Sequence, residues 1–366
     1  MNERPDVLVI GAGPAGLSSA IYASRYGLNV LVVDENHRAG GQLIKQTHMF
    51  FGAKQHYCGT RGIDIAKILE EQAVDAGVEI SLETTAVGFY DDFIVAVVKD
   101  ETLYKVIPKA LIVCTGATEN MLAFPGNDLP GVYGAGAVQT LMNVYGVKPA
   151  DKILMVGSGN IGLIVSYQLM QAGIEVVAIV EAMDRIGGYL VHAAKVRRLG
   201  IPIYTSHTLK EVRGQESVEE AVIVAVDEAW EEVPGTEKLF KVDGVCLAVG
   251  LSPVSEILWL TGAEMKYVPE LGGFVALHNE DMETTKEGVY VAGDASGVEE
   301  AVAAILEGAI AGLSSVIRLK LECAEEARSL RDSIKADLAE FRAGPFGKKI
   351  VTGKYKVFSL LEGKNA

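Results

Sequence analysis

Two copies of one glycine pattern constrain this chain more than any other feature. GAGPAG spans Gly11 to Gly16 and GSGNIG spans Gly157 to Gly162. Each follows a short apolar run, DVLVI or KILMV, and opens an amphipathic stretch. Roughly 20 residues past the first glycine an acid closes the next apolar run. That acid is Asp34 in the first copy, with Glu35 beside it, and Glu181 in the second. A lone GxGxxG is a weak signal, whereas strand, glycines, helix, strand and acid in this order form a dinucleotide cradle. The glycines allow a tight turn and close approach of backbone amides to a pyrophosphate, and the helix N-terminus favours its charge. The echo extends to a glycine pair, Gly40 and Gly41 in one copy and Gly187 and Gly188 in the other. Two such units imply two dinucleotides.

The element order supports this. Strands are expected at 7–10, 30–33, 153–156 and 175–180, and helices at 14–26, 62–76 and 160–172, with a series of short β-rich runs after each unit's second strand. Alternating strands and helices give parallel sheets with helices on their faces. The fold class is therefore α/β, with two Rossmann-like doubly wound domains. A third stretch, GVYVAGDASG, puts a strand and turn ahead of an alanine-rich helix that should open near Val298. Asp294 in that turn either accepts from a ligand hydroxyl or caps the helix. Beyond it, 321–342 has a charged helical pattern. The last run, GPFGKKIVTGKYKVFSLLEG, alternates apolar residues with lysine and reads as β-prone, a segment that either pairs with another subunit or stays loose.

With 366 residues, 49% of them hydrophobic, the chain suits two globular domains. A net charge of −15 disfavours nucleic acid and anionic lipid as partners. No uninterrupted apolar stretch reaches the length of a membrane span, and the first strand begins too early for a leader ahead of it, so a cytoplasmic location is expected. The four cysteines, Cys58, Cys114, Cys246 and Cys323, include no CxxC pair and supply neither a disulfide framework nor a metal cradle.

GAGPAGL, the TGA at Thr115 to Ala117, GSGNIG and the late VAGDASG together resemble the motif set of the flavoprotein disulfide reductase superfamily, in the compact order of thioredoxin reductase. The resemblance covers most of the chain and implies a nicotinamide domain inserted into a split FAD domain: 1–119 and 251–320 for FAD, 120–250 for NAD, and 321–366 as a tail. It implies FAD contacts at Gly11, Gly13, Pro14, Ala15, Gly16, Asp34 or Glu35, Gly41, Gln42, Val87, Thr115, Gly116, Gly293 and Asp294, with Glu300, Ala301 and Val302 near the flavin ring. NAD(H) would lie on Gly157, Gly159, Asn160, Ile161, Gly162 and Glu181, whose carboxylate accepts from a 2′-hydroxyl and repels a 2′-phosphate. Hydride transfer between nicotinamide and flavin needs no protein acid or nucleophile, so no catalytic residue and no metal ligand is named.

Thioredoxin reductase uses a CxxC in its nicotinamide domain, which here contains only Cys246. Disulfide reduction by that route is not expected. LAFPGNDLPGVYGAGAVQTLMN, Leu122 to Asn143, instead resembles the FAD-containing subunits of sarcosine oxidase, opine and proline dehydrogenase, and hydrogen cyanide synthase. That group implies partner dehydrogenase subunits, or a homo-oligomer, and a small redox substrate handled by the partner: an amine, an amino acid or glycerol 3-phosphate. The open alternatives are a stand-alone NAD(P)H reductase of ferredoxin, quinone or oxygen, and a non-catalytic nucleotide-binding scaffold. Lesser candidates share the loop after GGQL: Lys45, His48, His56, Tyr57, Cys58 and Arg61. His192 and His207 lack partners at metal-ligand spacing.

Overall fold

Strand Val7–Ile10 is buried along its whole length, so VLVI reads as an unbroken apolar run rather than an alternating one. Its residues still serve different layers. Val7 and Val9 join the core beneath the helices, while Leu8 and Ile10 join the core on the opposite face. The computed structural model describes residues 3–344 and 347–362 and divides into two units, Met1–Thr118 with Leu251–Ala366, and Glu119–Gly250.

In the first unit five parallel strands lie in the order Val289–Val291, Ala110–Val113, Val7–Ile10, Val30–Val33 and Glu79–Ser81. Helices Pro14–Arg25, Gly62–Asp75 and Ala301–Leu319 cover one face. A doubly wound plan expects helices on the other face too. There the short runs at Thr84–Tyr90, Ile94–Lys99 and Thr102–Val106 form an antiparallel sheet instead, burying Val95, Val97 and Val106 against the parallel strands.

The second unit repeats the plan. Its parallel strands run Ile203–Thr205, Glu175–Glu181, Lys152–Val156, Gly244–Leu247 and Val132–Gly134. Helices Ala135–Asn143, Asn160–Gln171 and Leu190–Arg198 pack on one face, and the antiparallel sheet His207–Arg213, Glu220–Ala225 and Lys238–Lys241 on the other. The units differ in where the strand beside Ala110–Val113 or Gly244–Leu247 comes from. In the first it arrives late in the sequence, at Val289–Val291; in the second it comes first, at Val132–Gly134.

Helix Ala301–Leu319 is long and apolar enough to cross a membrane by length and composition. Its apolarity has another cause, because it is mostly buried inside its own unit. A Cβ on Gly308 or Gly312 would stand 2.1 or 2.3 Å from the backbone oxygen of Ala15 or Ser19, so these glycines let it lie directly against helix Pro14–Arg25. Ser18 Oγ donates to the Ile305 carbonyl at 2.7 Å across that seam.

The tail corrects an expectation. The final run is not a β-prone strand: Lys348–Glu362 is a helix, packed within the first unit. Ile350, Val357, Phe358 and Leu361 recur at helical spacing and meet Val268, Leu271, Val275 and Leu277. The apolar and lysine alternation is a by-product of that period. Pro345, Phe346 and Gly363 of the run lie outside the described residues.

Candidate cofactor sites

The two glycine loops are built alike. Gly11 and Gly157 hold φ of +102° and +103°, in the left-handed region that favours glycine. A Cβ on either would stand 2.3 Å from a carbonyl oxygen, that of Cys114 or of Ala248. A Cβ on Gly16 or Gly162 would lie 1.8 or 2.1 Å from the oxygen of its own loop's first glycine. The middle glycines differ: a Cβ on Gly13 would meet only the Gly41 Cα, at 3.8 Å, and one on Gly159 nothing within 4 Å. Packing demands the outer glycines, whereas the middle one leaves backbone open to an approaching phosphate. Pro14 and Asn160 begin the two helices, and Ile161 is exposed. Both cradles fit a dinucleotide pyrophosphate.

The acids that close the second strands are tied to these loops. Asp34 Oδ2 accepts the Ala12 N–H at 2.6 Å, and Oδ1 accepts the Asn36 N–H and Nδ2–H at 2.8 Å. Glu181 Oε2 accepts the Ser158 N–H at 2.9 Å and its hydroxyl at 2.6 Å, while Oε1 accepts the Met183 N–H at 2.9 Å. Each carboxylate is thus aimed by its own loop, and Glu35 is exposed. The glycine pairs also correspond: the Gly40 N–H donates to the Ala12 carbonyl at 2.8 Å and the Gly188 N–H to the Ser158 carbonyl at 2.9 Å. Gly41 approaches Gly13 so closely that a Cβ would stand 2.8 Å from its Cα, and Gln42 beside it is exposed. Thr115 and Gly116 follow strand Ala110–Val113, next to Val7–Ile10, and Thr115 Oγ donates to the Val254 carbonyl at 2.5 Å. Val87 is exposed at a register shift in Thr84–Tyr90.

After strand Val289–Val291 the chain turns at Gly293, with φ +69°, where a Cβ would sit 2.8 Å from the Ala15 Cβ. This brings the late loop against the first turn of the helix that leaves the first glycine loop. Asp294 lies in the short 3-10 turn Gly293–Ser296 and accepts the Glu299 N–H at 3.2 Å. Burial pushes its carboxyl up to about 6, with Glu307 and Glu299 adding to the effect. The following helix does not open near Val298: the Val298 N–H donates to the Leu271 carbonyl and the helix begins at Ala301 after Glu300. Ala301 and Val302 form its first turn, which has no side-chain cap.

The second unit has a different closure. Helix Ala135–Asn143 starts directly after its strand, and Glu119 caps it, accepting the Gly136 N–H at 2.6 Å and the Ala137 N–H at 3.2 Å. Sequence reasoning missed this role, since nothing local ties Glu119 to a helix that starts at Ala135.

It also missed a buried ionic cluster behind the Gly293–Ser296 turn. Glu307 Oε2 accepts the Gly293 N–H at 3.0 Å and the Ser296 hydroxyl at 2.7 Å, while Oε1 meets Arg342 at 2.6 Å and Lys354 at 2.8 Å. Burial alone would raise Glu307, but Lys354 and Arg342 outweigh it and bring its carboxyl to about 2. The signal was available: a carboxylate in the middle of AVAAILEGAIAG needs a buried cation.

The loop after GGQL contributes less. His56 Nε2 lies 3.8 Å from Asp337, and Cys58 is exposed. His207 Nδ1 sits 2.8 Å from the Thr205 carbonyl, and burial, then Lys195, lowers His192. Among the described residues no group of three or more His, Cys, Asp or Glu could hold a metal.

A family model of pyridine nucleotide-disulphide oxidoreductases matches residues 5–308. The chain belongs to this family. With membership it is an FAD-dependent pyridine nucleotide oxidoreductase, as its sequence led us to expect. An opine oxidase subunit of Agrobacterium tumefaciens is 29% identical, over 97% of this chain and 73% of that protein. The HcnB subunit of hydrogen cyanide synthase from Pseudomonas aeruginosa is 28% identical, over 94% and 78%. The alpha subunit of sarcosine oxidase from Rhizobium meliloti is 28% identical over 87% of this chain, which spans only 31% of that longer protein. Among solved structures, thioredoxin reductase of T. acidophilum aligns with a TM-score of 0.71 at 24% identity, over 86% of this chain and 98% of that one. L-proline dehydrogenase of P. horikoshii aligns at 0.66 and 24%, over 91% and 60%. These two likenesses show the fold.

Proposed function

We propose that this chain transfers hydride between NAD(H) and FAD as one subunit of a multi-subunit dehydrogenase for an amine, an amino acid or glycerol 3-phosphate. The observation that carries the reading is the pair of matched glycine cradles, of which only the first is closed by the Gly293–Ser296 turn. When bound, the flavin and the nicotinamide supply the redox chemistry and the protein supplies position and electrostatics.

The first cradle, Gly11 to Gly16, receives the pyrophosphate of FAD, and Asp34 accepts from the adenosine ribose. Asp294 accepts from a hydroxyl further along the dinucleotide. Gly41, Gln42, Val87, Thr115, Gly116, Glu300, Ala301 and Val302 complete the FAD set. Gly157, Gly159, Asn160, Ile161 and Gly162 receive the pyrophosphate of NAD(H), and the carboxylate of Glu181, held by Ser158, selects against a 2′-phosphate.

Disulfide reduction has little support, because the four cysteines include no CxxC pair and the one in the second unit, Cys246, is buried. The role as one component of a larger enzyme rests on relatives that are themselves named as subunits.

Purification of the full chain with whatever accompanies it, followed by anaerobic titration, tests both parts. We expect a yellow protein bleached by NADH, with NADPH at least about tenfold less effective, and a co-purifying partner protein. Absence of flavin absorbance, or reduction by NADPH alone, would overturn the cofactor assignment. Rapid turnover with ferredoxin, quinone or oxygen and no co-purifying protein would overturn the multi-subunit role.

A further inference from the structure

The C-terminal helix Lys348–Glu362 inserts one charged side chain into the interior of the first unit. Lys354 is 3% exposed, and its ammonium is surrounded by partners. It donates to Ser296 Oγ at 2.7 Å and to the Ser296 carbonyl at 3.1 Å, pairs with Glu307 Oε1 at 2.8 Å, and lies 3.5 Å from His278 Nε2. His278 suits this contact as a neutral ring: burial and then the ammonium push it down to about 3, and its Nδ1 lies 2.7 Å from the Ala276 carbonyl.

Arg342, at the end of helix Ala324–Arg342, completes the cluster by bonding Glu299 through Nε and Nη2 and Glu307 through Nη2. Two cations from the tail, the buried Lys354 and the partly buried Arg342, thus balance two carboxylates, and both carboxylates bond or adjoin the Gly293–Ser296 turn. Glu307 holds the Gly293 N–H, and the Glu299 N–H holds Asp294. A buried charge without its partner is far less favourable than the pair, so the turn and the docked tail helix stabilise each other.

We propose that Lys354 is a positioning residue for the FAD site: by anchoring Ser296 and Glu307 it couples docking of the tail helix to occupancy of that site. The proposal rests on the assignment of FAD to the first cradle. Coupling is reciprocal, so bound FAD should hold the tail down as much as the docked tail holds FAD.

The test uses the deflavinated full chain, with FAD as the probe. We expect Lys354→Met and Ser296→Ala each to raise the FAD Kd by about tenfold, within the range usual for coupled sites. Val357→Ala, which loosens the same helix on its apolar side but keeps the Lys354 contacts to the turn, should lower Tm and raise the Kd by less than either. Hydrogen exchange should show FAD protecting the amides of 348–361 in the wild type, with less protection in Ser296→Ala. Wild-type Kd in both Lys354→Met and Ser296→Ala, or no effect of FAD on exchange in the tail, would overturn the coupling, and an equal rise in Val357→Ala would overturn the positioning role of Lys354. Failure of the wild type to take up FAD at all would instead show that the cofactor assignment is wrong. If Lys354→Met does not fold, Ser296→Ala reads the same contact from the turn.

Discussion

Glu119 and the Gly293–Ser296 turn stand at corresponding points of two units built on one plan, and they treat the neighbouring helix in opposite ways. In the second unit the strand Val132–Gly134 runs straight into helix Ala135–Asn143, and Glu119 occupies the first amides of that helix. In the first, Val289–Val291 leads into a left-handed glycine, a turn bearing a raised carboxyl, and a helix start without a side-chain cap. A helix N-terminus carries partial positive charge and attracts an anionic group. One unit satisfies it with its own carboxylate; the other offers a built loop. The glycine cradle is the shared part, and the step after Val289–Val291 or Val132–Gly134 decides how much more of a ligand each unit can grip.

The strongest way to break this comparison is to fill a cradle. Gly13→Val places a side chain where the structure leaves space above the backbone. Flavin absorbance per chain should fall by more than about tenfold, beyond 1.4 kcal/mol of binding.

Next comes Asp294. Its carboxyl is raised to about 6 from 3.8, so charging it costs the folded state, and the cost is complete above pH 6 and absent below 3.8. Asp294→Asn should therefore stabilise the flavin-free protein at pH 7 by roughly 1–3 kcal/mol, at 1.36 kcal/mol per pKa unit. Thermal unfolding across pH checks this: the gain should shrink as pH falls and vanish below the unfolded value. The same change should weaken FAD binding, a gain in stability set against a loss of ligand.

Glu181→Ala should narrow the preference for NADH over NADPH by about tenfold, read from the ratio of kcat/KM values. The smallest effect is expected from Glu119→Ala, which should lower stability by about 1 kcal/mol, the usual loss for a helix cap, and leave the flavin spectrum unchanged. A large spectral change there would mean that the two closures are not independent.

How legible this was depends on range. The glycine loops, their flanking strands and the paired acids Asp34 and Glu181 are written within about 25 residues of one another and follow local periodicity and turn chemistry. Contacts across long sequence separations were not. Glu119 caps a helix after an intervening loop and strand, and Glu307 finds Lys354 on a helix read as an alternating strand. In that tail two periods coexist, and only burial of Val357 against Leu271 and its neighbours chooses the helical one. The start of the late helix was misplaced because Gly297, at φ +141°, and the Val298 bond to Leu271 delay it to Ala301.

Anaerobic NADH titration of Gly159→Val beside the wild type tests the division of labour most directly. Gly159→Val should keep its full complement of flavin yet be bleached by NADH at a rate at least about tenfold lower, because only the second cradle is filled. Loss of flavin from Gly159→Val, or its bleaching at the wild-type rate, would contradict the assignment of FAD to the first cradle and NAD(H) to the second.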